Sequence, residues 1–77
     1  MTITIDDVQD AWDECAGRCC LSRVKLTLGK DASLDRVDSK KGYIKGNIQW
    51  VHKTVNLMKS NIPQEIFLSF CKQVALY

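Results

Sequence analysis

Seventy-seven residues, 45% hydrophobic and 26% charged, make one small globular domain, of a size that buries only about 60% of its unfolded surface. No segment approaches the roughly 20 apolar residues of a membrane span, and the opening Met-Thr-Ile-Thr-Ile-Asp-Asp lacks the basic and apolar regions of a signal peptide, so an intracellular protein is expected. The net charge of +2 hides an uneven distribution: residues 1–15 hold five acids and no base, which leaves the remainder a surplus of seven positive charges, compatible with a basic face for nucleic acid and an acidic helix turned away from it.

The first element reads as a helix from Ile5 to about Ala16. Thr4 can cap it, with Asp7 three residues on as in a capping box, and the early acids suit the positive end of the helix dipole. Val8, Ala11, Trp12 and Cys15 recur at helical spacing as its buried face, and Gly17 fits the C-terminal cap. An irregular segment follows, from Cys19-Cys20 to the polar Gly29-Lys30-Asp31. The four cysteines read as reduced thiols, because intracellular disulfides are rare and free cysteine buries readily.

Two β-rich runs, Ser33–Val37 and Asn47–Val51, flank a polar stretch holding Gly42 and Gly46. That is a hairpin with a long connection, its glycines placed for positive φ. His52 shares a strand face with Ile48 and Trp50, while Gln49 and Val51 face the other way; Trp50 reads as core. The period then changes. Val51, Val55 and Met58 fall at i, i+4, i+7 and lay an apolar helical stripe against the hairpin, with Asn56 and Lys59 on a neighbouring face. A last helix, from Pro63 to about Ala75, carries Ile66, Phe67, Phe70, Cys71 and Val74 as one stripe expected to close the core over the hairpin. Leu76 and Tyr77 are expected to fray. With no repeat, low-complexity run or linker, residues 1–77 read as a single domain.

On this reading Asp35, Asn47 and Asn56 can converge, and a carboxylate with an amide oxygen is the donor type that a hard divalent cation prefers. The sequences Ser-Leu-Asp-Arg-Val-Asp (33–38), Gly-Tyr-Ile-Lys-Gly-Asn-Ile-Gln-Trp-Val-His (42–52) and Val-Asn-Leu-Met-Lys (55–59) together resemble the HNH, or ββα-metal, endonucleases, and among them a phage-type branch. The resemblance runs from about Cys19 to Lys59. It implies an α+β fold in which a hairpin-plus-helix core, about residues 33–59, is flanked by an N-terminal and a C-terminal helix. It also implies an endonuclease or nicking enzyme that hydrolyses DNA with Mg²⁺ or Mn²⁺ on Asp35 and Asn56, while Asn47 holds the hairpin loop in shape.

The departures from the family pattern define the chemistry in question. Arg36 stands where most of the family has its general-base histidine, and an arginine cannot take a proton from water. It would clamp the scissile phosphate instead, leaving Asp38, His52, Tyr43 or a metal-bound hydroxide as the base. Asn56 stands at the position of the last family histidine and still offers an oxygen. The zinc clip carried by many relatives would map to Cys19, Ser22, His52 and Val55, only two of which can ligate, so a structural zinc is not expected. His52, the only histidine, is a candidate base, a phosphate ligand or a clip remnant, set against a plain capping and packing role. Lys40, Lys41 and Lys45 of the loop, with Lys53 and Lys59 of the helix, are the expected phosphate contacts, which would favour low sequence specificity.

The rival reading is an HNH-fold module that binds nucleic acid, or regulates a larger phage protein, without cutting. Arg36 in the base position motivates it, since a fold does not guarantee its chemistry. A third is a packed domain that acts through a larger partner, such as a phage packaging enzyme. Cytoplasmic location in a bacterial host is expected; the oligomeric state stays open, a monomer favouring nicking and a two-fold homodimer able to cut both strands.

Overall fold

The computed structural model describes residues 3–76. Its elements are α1 (Ile5–Glu14), β1 (Ala32–Arg36), β2 (Ile48–His52), α2 (Lys53–Lys59) and α3 (Gln64–Leu76), and the class is α+β. Tyr77 lies outside the described residues. Among those residues no helix is long and apolar enough to cross a membrane.

The entry into α1 is the expected capping box. The Asp7 amide donates to Thr4 Oγ1 at 3.2 Å, and the Thr4 amide donates back to Asp7 Oδ2 at 3.1 Å. Beyond α1 the chain reverses sharply, with Ala16 and Gly17 both left-handed (φ 53 and 70). A side chain at Gly17 would also press on the Trp12 ring, its Cβ only 3.2 Å away. The reversal brings Cys20 to a Cα–Cα distance of 5.5 Å from Cys15, and the two form a disulfide. This corrects the expectation of four reduced thiols: Cys19 and Cys71 alone are free.

β1 and β2 pair antiparallel, with Asp35 opposite Gln49, Ser33 opposite Val51 and Arg36 opposite Ile48. Each strand sits one residue from its expected bounds. Alternation puts Ser33, Asp35, Gln49 and Val51 on one face, and Leu34, Arg36, Ile48 and Trp50 on the other. α1 packs on β2, where the Trp50 indole donates to the Val8 carbonyl at 3.1 Å and meets Trp12 edge to face at 5.3 Å between centroids. The segment after α1 lines the outer edge of β2, with the Cys20 amide donating to the Trp50 carbonyl at 2.9 Å. Cys19, Leu26 and Val51 form the centre of the core, surrounded by Trp12, Leu21, Ala32, Trp50 and Val55.

α2 starts directly after β2, and its buried face differs from the expected one. Val51 is still strand, Met58 is exposed, and the residues turned inward are Val55, Asn56 and above all Lys59. Polar partners on the hairpin outweigh the apolar stripe there. α3 departs further. Of its expected stripe only Phe67 is buried and Cys71 half-buried, while Ile66, Phe70 and Val74 are exposed. The helix is anchored at its start and leaves most of its apolar side outside the core.

Candidate functional site

α2 crosses the hairpin face that carries Asp35 and is tied to it at two points three residues apart, as helix geometry requires for side chains on one flank. Asn56 Nδ2 donates to Ser33 Oγ at 2.8 Å. Lys59 Nζ donates to Asp35 Oδ2 at 2.6 Å and to the Arg36 carbonyl at 2.7 Å. Across the hairpin, Gln49 Nε2 donates to the same Asp35 oxygen at 2.9 Å and to Gln64 Oε1 of α3 at 2.6 Å. Asp35, Gln49 and Lys59 are all buried, at 8%, 7% and 1% exposure. A buried carboxylate needs a cation and hydrogen-bond donors, and this cluster supplies both from the chain itself.

Asp35 and Asn56 thus reach the same hairpin face. Each also keeps one oxygen, Oδ1, that accepts no hydrogen bond from the described residues, and neither oxygen is a buried atom lacking a partner, so both touch solvent. A carboxylate and an amide oxygen are donor types that a hard divalent cation takes, keeping most of its waters; Asn56 is tied to Ser33, two residues along β1 from Asp35. Among the described residues no group of three or more histidine, cysteine, aspartate or glutamate side chains gathers as a richer cation site. The opposing feature is Lys59, whose ammonium already balances the charge of Asp35.

The loop between the strands, residues 37–47, is shaped by two side chains. Asn47, only 6% exposed, accepts from the Asp38 amide at 2.9 Å and donates to the carbonyls of Asp38 (3.1 Å) and Gly42 (2.9 Å). Arg36 lies on the face opposite Asp35. Its guanidinium donates to the Ser39 carbonyl at 2.9 Å and lies 5.6 Å from the centre of the Tyr43 ring. Both Arg36 and Tyr43 are therefore engaged in holding the loop. Gly46 has the expected positive φ of 87, whereas Gly42 does not.

His52 ends β2 and caps α2, its Nδ1 accepting the Thr54 amide at 3.1 Å, with Asp31 Oδ2 4.0 Å from Nε2. It belongs to the face away from Asp35, which removes it from proton transfer there. Asp38 instead lines a groove of about 520 Å³ between the loop and the start of α3, beside Lys40 and Gln64. Lys40, Lys41, Lys45 and Lys53 are exposed. Lys59, expected among the DNA contacts, is buried and cannot reach a phosphate backbone in this conformation. The acidic helix is not remote from the loop either: Asp7, Asp10 and Glu14 line a small recess with Lys45 and Gly46.

The four positions that the resemblance maps to a zinc clip do meet. The Ser22 amide points at Cys19 Sγ at 3.3 Å, Val55 packs on the same cluster, and the His52 backbone approaches the sulfur. Burial pushes the Cys19 thiol up, but hydrogen bonds from Ser22 and the backbones of His52 and Leu21 together bring it below its ordinary value. Two of the four positions carry no ligand atom, and packing holds the junction. Gln49 and Gln64 were not among the predicted site residues. Strand alternation puts Gln49 on the Asp35 face, but no local signal brings Gln64 to it.

A search of protein-family models finds no match to the chain, and a search of the curated proteins finds no similar sequence.

Proposed function

We propose that the hairpin and α2 form a ββα-metal core and that the protein is a DNA endonuclease with low sequence specificity, dependent on Mg²⁺ or Mn²⁺ held by Asp35 and Asn56. One observation carries this reading: α2 follows the hairpin without a linker and brings Asn56 onto the face of Asp35, where each side chain keeps an oxygen open to solvent. When bound, the cation supplies Lewis-acid stabilisation of the charge that builds on the phosphate and the leaving oxygen. Asn47 and Arg36 shape the loop that carries the exposed Lys40, Lys41 and Lys45. Together with Lys53 these lysines would neutralise DNA phosphates, a contact that sets affinity without reading sequence. Asp38, in the groove beside Gln64 with one oxygen accepting the Lys40 amide, and a metal-bound hydroxide are the remaining candidates for the base.

A second reading has its own support. Lys59 neutralises Asp35 from within, and Arg36 stands in the family's base position. Both suit a module that binds DNA without cutting it.

Nicking of supercoiled plasmid with Mg²⁺, Mn²⁺ or EDTA separates the two. The nuclease reading expects cleavage by the wild type only with metal, and a loss of about 100-fold or more in Asp35→Ala and Asn56→Ala. Full cleavage by Asp35→Ala would sink it. No cleavage by the wild type under either metal, with DNA still retarded in a gel, would leave the binding module.

A further inference from the structure

Lys59 is the group whose placement asks most of the fold. A lysine normally runs its aliphatic stem along the surface and keeps its ammonium in water. This one is 1% exposed, its Nζ 2.6 Å from a carboxylate oxygen and 2.7 Å from a backbone carbonyl. Taking the charge out of water is offset only by such oxygen partners, and a carboxylate with a carbonyl is equally a set that a metal cation would accept. Gln49 fixes the arrangement, donating to the same Asp35 oxygen and to Gln64. The ammonium therefore stands at Asp35 as a covalently attached cation, on the hairpin face where Asn56 also lies.

We propose that Lys59 is an internal competitor of the divalent cation: it cancels the charge of Asp35 in the free protein, holds metal affinity low, and makes tight metal binding depend on the negative charge that a DNA phosphate brings. This rests on Asp35 as the metal-binding carboxylate. A divalent ion arriving at Asp35 Oδ1 meets only one net negative charge, already neutralised a few ångström away, and two cations at that separation repel strongly in a partly buried site. The negative charge of a bound DNA phosphate restores the deficit. Metal and DNA then bind cooperatively, each raising the affinity of the other by the same factor.

The test reads metal binding rather than cleavage. Mn²⁺ affinity is measured by titration calorimetry and by the loss of the free-ion EPR signal, for wild type, Asp35→Asn, Lys59→Met and the Lys59→Met/Asp35→Asn double variant. Lys59→Met keeps an unbranched side chain, one atom shorter, and removes its charge. The expected result is Mn²⁺ binding roughly tenfold or more tighter in Lys59→Met than in wild type, abolished in the double variant, and a matching gain in wild type when a short DNA duplex is added. Lys59→Met binding no tighter than wild type, while Asp35→Asn weakens the wild type, would overturn the competitor role and leave the metal site standing. Absence of Asp35-dependent binding in every variant, with and without DNA, would overturn the metal site and the competitor together. Should Lys59→Met be unfolded without metal, Mn²⁺ must raise its thermal midpoint more than it raises that of wild type, and an equal or smaller rise counts against the proposal.

Discussion

Single side chains hold this molecule in shape at positions where the backbone alone would not. Asn47 is the clearest case, since its amide closes three hydrogen bonds to both arms of the loop 37–47. Asn47→Ala removes the acceptor of the Asp38 amide and one of the two donors at each of the Asp38 and Gly42 carbonyls, which keep the Lys41 and Ile44 amides, and a loss of about 1–2 kcal/mol is expected in urea unfolding. Asn47→Asp keeps the acceptor but sets a carboxylate oxygen against the two carbonyls, so it should lose at least as much as Asn47→Ala. Equal stability of Asn47→Ala and wild type would show that water replaces the amide without cost. This role was legible from the sequence, because an asparagine after Gly46 at the start of a strand has few other tasks. Lys59 was not. Its partner Asp35 is 24 residues away in the chain, and a lysine on a short polar helix reads as surface by every local rule.

At the scale of the elements, order and type were legible because each has a local signature: the Thr4 and Asp7 capping box, the β-rich runs around Gly46, the change of period after Val51. What periodicity missed was the inward side of the two later helices. Val51, Val55 and Met58 match helical spacing, but Val51 belongs to β2, and the polar pairs made by Asn56 and Lys59 set the rotation of a seven-residue helix. The Cys15–Cys20 bridge was hidden for another reason: it depends on two left-handed residues after α1, one of them an alanine. The junction between β2 and α2 gives a direct test of His52. Its imidazole caps α2 and lies away from Asp35, so His52→Ala should cost about 1 kcal/mol in thermal or urea unfolding. If the protein is the nuclease proposed, plasmid nicking below the unfolding temperature should stay within about twofold of wild type. A fall of 100-fold in nicking with stability unchanged would return His52 to the chemistry and contradict the face assignment.

Over the whole molecule the shape is extended, 40 × 27 × 18 Å with a radius of gyration of 12.4 Å, against about 11.5 Å expected for a compact domain of this length. Its accessible surface of 5603 Å² likewise exceeds the roughly 4,800 Å² that scaling with mass gives. α3 accounts for much of this, because it meets the body through Gln64, Phe67 and Cys71 and leaves Ile66, Phe70 and Val74 outside. A sequence stripe cannot distinguish these cases: five apolar residues at helical spacing say that a helix has an apolar side, and only the position of the body decides how much of it is covered. Neighbouring phenylalanines on one helix therefore carry opposite expectations. Phe67 is 8% exposed and Phe70 63%. Phe67→Ala should cost about 3 kcal/mol and raise hydrogen exchange along α3, since it removes the main apolar anchor of that helix. Phe70→Ala should stay within about 0.5 kcal/mol, because the ring is already in water. Because the total stability of a domain this small is only about 4–11 kcal/mol, the first change should be plain in a melting curve and the second barely visible. Equal losses from both would mean that the outer side of α3 is packed in solution, and that the stripe is covered after all.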